Sequence, residues 1–74
     1  MKMRKFDLDI YPLATIRQAA LDYSHIANIL VIPGKKQGVC YFLWCKADEV
    51  RTIDEFTNYL IDLIGARGSG HDHS

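Results

Sequence analysis

The chain has 74 residues, nine basic and nine acidic, with a formal net charge of zero, which excludes the electrostatic footprint of a nucleic-acid or anionic-membrane binder. Its apolar runs are shorter than the roughly 20 residues that cross a bilayer, and none follows the basic start at Lys2, Arg4 and Lys5 as in a secretory signal, so the expected compartment is the cytoplasm. One domain is expected over residues 1–65, with 66–74 a glycine-rich tail, and a core this small calls for a disulfide, a metal or a second subunit.

Lys5 to Ile10 alternate strictly, with Phe6, Leu8 and Ile10 on one side and Lys5, Asp7 and Asp9 on the other, the pattern of a half-buried strand suited to a sheet edge. Tyr11-Pro12 breaks the alternation, and Pro12 is placed to open a helix, because its fixed φ is helical and the first turn does not need its amide hydrogen. From Leu13 the apolar positions take helical spacing through Leu13, Ile16, Ala20 and Tyr23, flanked by Ala19, Ile26 and Ala27. This predicts a helix ending near Ala27 or Asn28, with small Ala19 and Ala20 allowing close approach to a sheet and His25 in its last turn.

Ile29 to Ile32 is a short, largely β-branched run closed by Pro33-Gly34, which reads as a strand followed by a hairpin loop to Gly38. That loop has two lysines but neither the spacing nor the following helix of a phosphate loop. Gly38 to Lys46 is the most apolar strand in the chain. Val39, Tyr41, Leu43 and Cys45 occupy one side and Cys40, Phe42 and Trp44 the other, so both faces of its sheet need cover. In this reading Cys40 and Cys45 lie on opposite faces, roughly 16 Å apart at about 3.3 Å per residue, too far for a mutual disulfide or a shared metal ion. Pairing Ile32 with Val39 sets Leu30 against Tyr41, Val31 against Cys40 and Ile29 against Phe42.

Thr52-Ile53-Asp54-Glu55 matches a capping box, which makes Thr52 the expected cap of a second helix. Its apolar stripe is Ile53, Phe56, Leu60, Leu63 and Ile64, and Gly65 offers a stop. The element order is strand, helix, strand, strand, helix, an α+β fold. The preferred arrangement is a three-stranded antiparallel sheet in order 1-3-2 with both helices on one face, ferredoxin-like without its last strand. A parallel pairing of the first two strands through a right-handed crossover is the alternative. In the preferred arrangement Cys40, Phe42 and Trp44 face the helices, and Leu30, Ile32, Val39, Tyr41 and Leu43 line the open face. A patch of that kind marks an interface with a second copy or with another protein. The uncharged second strand at the sheet edge could also pair with its own copy, and a twofold homodimer is the simplest closure.

The stretch Phe56-Thr57-Asn58-Tyr59-Leu60-Ile61-Asp62, continuing to Arg67, resembles the His-Xaa-Ser system D-type small proteins, whose C-terminal pattern is close to Phe-x-Asn-x-Leu-Leu-Asn-Asp-Tyr-x-Leu-Arg-Glu. Phe56, Asn58, Leu60 and Arg67 match that pattern, Ile61 and Asp62 are near substitutions, and Leu63, Ile64, Ala66 and Gly68 depart from it. Upstream, Ile10-Tyr11-Pro12-Leu13 with Ile16, Ala19, Ala20 and Tyr23 is similar to the family's strand-to-helix junction. The resemblance implies an accessory partner of radical-S-adenosylmethionine enzymes in a peptide-modification system. The chain lacks a Cys-x-x-x-Cys-x-x-Cys motif, so it is not expected to be the radical enzyme itself.

No catalytic constellation is legible. Asp7 with Asp9, Asp48 with Glu49, and Asp54 with Glu55 read as face or loop charges, and His25 has no partner nearby in sequence. His71 and His73 of the tail provide too few fixed ligands for a metal site. The expectation is a non-catalytic interaction module without a cofactor. The alternative is a homodimeric regulatory module that binds a small molecule between subunits.

Overall fold

A computed structural model of the chain describes the backbone of residues 1–69 and the side chains of residues 1–66. Its elements are β1 (Lys2–Asp7), α1 (Leu13–Asp22), β2 (Ala27–Pro33), β3 (Gln37–Cys45) and α2 (Glu49–Ser69). The sheet has three strands in order β1-β3-β2, with both pairings antiparallel. The α+β arrangement expected from the pattern is the one found, and the most apolar strand takes the middle.

Both helices cover the sheet face that carries Phe6, Cys40 and Phe42. These side chains join Ile16 and Ala19 of α1 and Ile53, Phe56 and Leu60 of α2 in one core. Phe56 sits at its centre, its ring meeting the edges of Phe6, Tyr23 and Phe42 at centroid separations of 6.2, 5.3 and 5.5 Å. Edge-to-face contacts of this kind add to the burial of the rings themselves.

Several boundaries differ from the sequence expectation, each for a local reason. β1 begins at Lys2 and stops at Asp7, where the Asp7 carboxylate accepts the Asp9 amide and the Asp7 carbonyl accepts those of Ile10 and Tyr11. Such an aspartate-centred turn competes with the strand ladder. Leu8 still packs on the core, but Ile10 is exposed. Pro12 stands just before the first helical residue, and its carbonyl accepts the amides of Thr15 and Ile16.

α1 ends at Asp22, not near Ala27, because the Tyr23 carbonyl accepts the amides of Ile26 and Ala27 and turns the chain into β2. His25 lies in that turn and is exposed. At the other helix the cap is Asp48, not Thr52. The Asp48 carboxylate accepts the Arg51 amide at 2.9 Å, while Thr52 lies inside α2 and donates its hydroxyl to the Asp48 carbonyl at 2.8 Å. Aspartate fills the cap role well, and Thr52 is buried one turn further on. α2 also runs through Gly65 to Ser69. With no positive-φ glycine among the described residues, Gly65 is a helix-interior residue, and the predicted domain end at residue 65 falls inside a helix.

The predicted register of β2 on β3 is the one observed at Leu30↔Tyr41, Val31↔Cys40, Ile32↔Val39 and Ile29↔Phe42. Beyond Ile29 the partners become Asn28↔Trp44 and Ala27↔Cys45, so Leu43 is an extra residue in β3, a β-bulge. A bulge reverses the facing of every residue after it. Trp44 therefore points away from the helices and is 52% exposed, where the alternation placed it in the core. Cys45 turns inward against the core, on the same side as Cys40, and both thiols are free.

Candidate functional site: the open sheet face

Leu30, Ile32, Val39, Tyr41 and Leu43, the five residues expected on the uncovered face, all lie on the side of the sheet away from the helices. Leu30, Ile32 and Leu43 are between 43% and 46% exposed. Cross-strand pairing arranges the face in rows. Met3, Tyr41 and Leu30 form one row across the three strands, and Lys5, Val39 and Ile32 form the next. Met3 and Trp44 extend the apolar surface beyond the five expected residues. Met3 was hidden from sequence reading because β1 starts earlier than the strict alternation does, and Trp44 because only tertiary pairing reveals the bulge.

The hairpin end of this face is polar, with Lys5, Asp7, Lys35 and Lys36 around a shallow depression. An apolar centre with a charged rim is the usual anatomy of a protein-protein contact surface.

Four of the carboxylates weighed for chemistry have structural partners instead. Asp7 accepts the Asp9 amide, Asp48 caps α2, Asp54 lies 3.8 Å from Arg4 and Glu55 lies 3.4 Å from Arg51. Among the described residues no three of His, Cys, Asp and Glu are grouped to hold a metal ion, and His71 and His73 lie outside those residues. Burial pushes the Cys40 thiol up to about 11, the reverse of an activated nucleophile. Cys45 is also raised, first by burial and then by the Glu49 carboxylate.

Of the stretch that carries the family resemblance, Phe56 and Leu60 are core residues, while Asn58, Ile61 and Asp62 are exposed on α2. The Arg67 side chain lies outside the described ones. No described helix is long and apolar enough to cross a membrane. No protein family, curated protein or solved structure matches the chain.

Proposed function

We propose that this chain is a small non-catalytic interaction module whose open sheet face docks a protein. The observation that carries the reading is the two-sidedness of β3. Its inward residues Cys40 and Phe42 are fully buried by the helices, while its outward residues continue an apolar surface over all three strands. Leaving such a surface in water forgoes the stabilisation of burying it, which a docked partner recovers.

The partner class follows from the resemblance of the second helix to the His-Xaa-Ser small proteins. It is a radical-S-adenosylmethionine enzyme or its peptide substrate, with this chain as accessory. Self-association through the same face is the other way to cover it.

Sedimentation at several concentrations tests the reading, followed by capture of a co-expressed radical enzyme with the parent chain and with Leu43→Asp and Tyr41→Asp. The expected result is either a dimer that both variants dissociate or a monomer whose capture of the enzyme both variants abolish. A monomer whose behaviour neither substitution changes would sink the proposal.

A further inference from the structure

A second surface lies on the opposite side of the sheet, along the free edge of β2. Arg17, Ala20 and Leu21 of α1, with Ser24 in the turn that follows it, face Ile29 and Val31 of β2 across a cleft of about 570 Å³. The spacing puts the three helical residues on one side of α1. Ala20 and Ser24 are too small to fill the gap to the strand.

The hydrogen-bonding groups of that edge can be counted. The Gly34 amide donates to the Gln37 carbonyl at 2.9 Å, and Pro33, opposite Gly38, has no amide hydrogen to give. Antiparallel pairs alternate between bonded and unbonded. Ile32 and Leu30 are therefore bonded to β3, and Val31 and Ile29 turn their N–H and C=O groups outward to the cleft side. Proline at an outward position costs the ladder nothing, as suits an edge strand.

β1 has four charged residues among its six, whereas β2 has none in seven. Charged side chains, lysines above all, guard an edge against pairing, so β2 is the unguarded one. Arg17 is the one charged residue lining the cleft, and it makes no ion pair among the described residues. Leu13 of the same helix lies near Gly38, the partner of Pro33, which places Arg17 toward the Val31 end of the groove.

We propose that this groove takes an extended peptide by strand addition to β2, with apolar side chains between α1 and β2 and a carboxylate at Arg17. The free amides of Ile29 and Val31 supply the main-chain bonds, the cleft takes alternate side chains, and Arg17 selects an acidic residue. A second copy of β2 fits less well, because Ala27–Pro33 contains no acid to meet Arg17.

The test uses the acetylated and amidated heptapeptide Glu-Thr-Val-Thr-Val-Thr-Glu, whose valines and glutamates share one side and which presents a carboxylate to Arg17 in either strand direction. Amide hydrogen exchange is read by NMR on the full chain. The expected result is fast exchange at Ile29 and Val31 compared with Leu30 and Ile32 in the free protein, and slowed exchange at both when the peptide is added. The dilysine analogue should bind about tenfold more weakly. Arg17→Glu, an exposed position, should reverse that preference, Ala20→Trp should close the groove, and Leu43→Asp on the open face should leave binding intact.

Equal binding of the two peptides, or no slowing at Ile29 and Val31 at the solubility limit of the first, would overturn the proposal. So would slowing that appears with protein concentration alone, which would assign the edge to a second copy.

Discussion

The Tyr59 hydroxyl donates to the Asp22 carboxylate at 2.5 Å, tying the middle of α2 to the last residue of α1. Gln18 donates to the other oxygen of the same carboxylate at 2.8 Å. The two bonds hold Asp22 below the ordinary aspartate range, Tyr59 contributing most, and the bond to Asp22 holds the Tyr59 hydroxyl above its usual value.

A pH dependence of stability follows from this pair. The lowered Asp22 contributes stability above the unfolded value near 3.8 and loses it as pH falls through the folded value. Tyr59 is raised, so its share is complete below 10.0 and is lost as pH rises beyond that. Tyr59→Phe should lower the thermal midpoint at neutral pH and flatten the melting profile at both extremes. An unchanged acid limb in the variant would mean the bond is not held in solution.

Trp44 is the only tryptophan, and the bulge sets its exposure. Its emission should be red-shifted and readily quenched by acrylamide in dilute protein. Binding at the open face should shift it blue and shield it. Blue, unquenched emission in a verified monomer would place Trp44 in the core and remove the bulge.

The two cysteines should separate kinetically. Cys40 is fully buried with its thiol pushed to about 11, whereas Cys45 is partly exposed. A disulfide reagent at mildly alkaline pH should label Cys45 first and reach Cys40 only as the domain opens. Equal rates in native protein would contradict the core described above.

Phe56→Ala removes the ring that Phe6, Tyr23 and Phe42 all meet. Truncations of this kind cost about 3–5 kcal/mol, comparable with the whole stability of a domain this small. The variant should be largely unfolded by circular dichroism at room temperature, and a cooperative melt near that of the parent would refute the central role of the ring.

Gly65→Ala works in the opposite direction. A Cβ built at Gly65 meets nothing within 4 Å, and the residue lies inside α2. Removing its backbone freedom should stabilise the domain by roughly 0.5–1 kcal/mol, visible as a higher thermal midpoint. A lower midpoint would mean that α2 stops at Gly65 after all.

The strand pairing was readable because Ile32 and Val39 flank a turn marked by Pro33 and Gly38, and one correct pair fixes its neighbours. The open face followed from the same step, since Cys40 and Phe42 fill one side and leave Tyr41 and Val39 on the other. What escaped were features decided between elements. Thr52 fits a capping box on its own, but Asp48 reaches the helix start first, and a turn at Tyr23 outweighs the helical spacing of Ile26 and Ala27. The groove beside β2 was invisible for the same reason. Arg17, Ala20 and Leu21 form an unremarkable helix stripe until the fold sets them, with Ser24 of the turn that follows, opposite an edge with unused amides.

Leu43 acts as a frameshift in the pleat. Read without it, Gly38 to Cys45 alternates perfectly, in, out, in, out, in, out, in, with Trp44 outward and Cys45 inward. The unbroken apolar run is thus a regular strand, apolar on both faces, with one outward residue inserted. A chain lacking Leu43 would keep every inward side chain of β3 and lose one outward one. The area offered to a partner is therefore set by an insertion that the core does not feel, and it can grow or shrink by a single codon without rebuilding the fold.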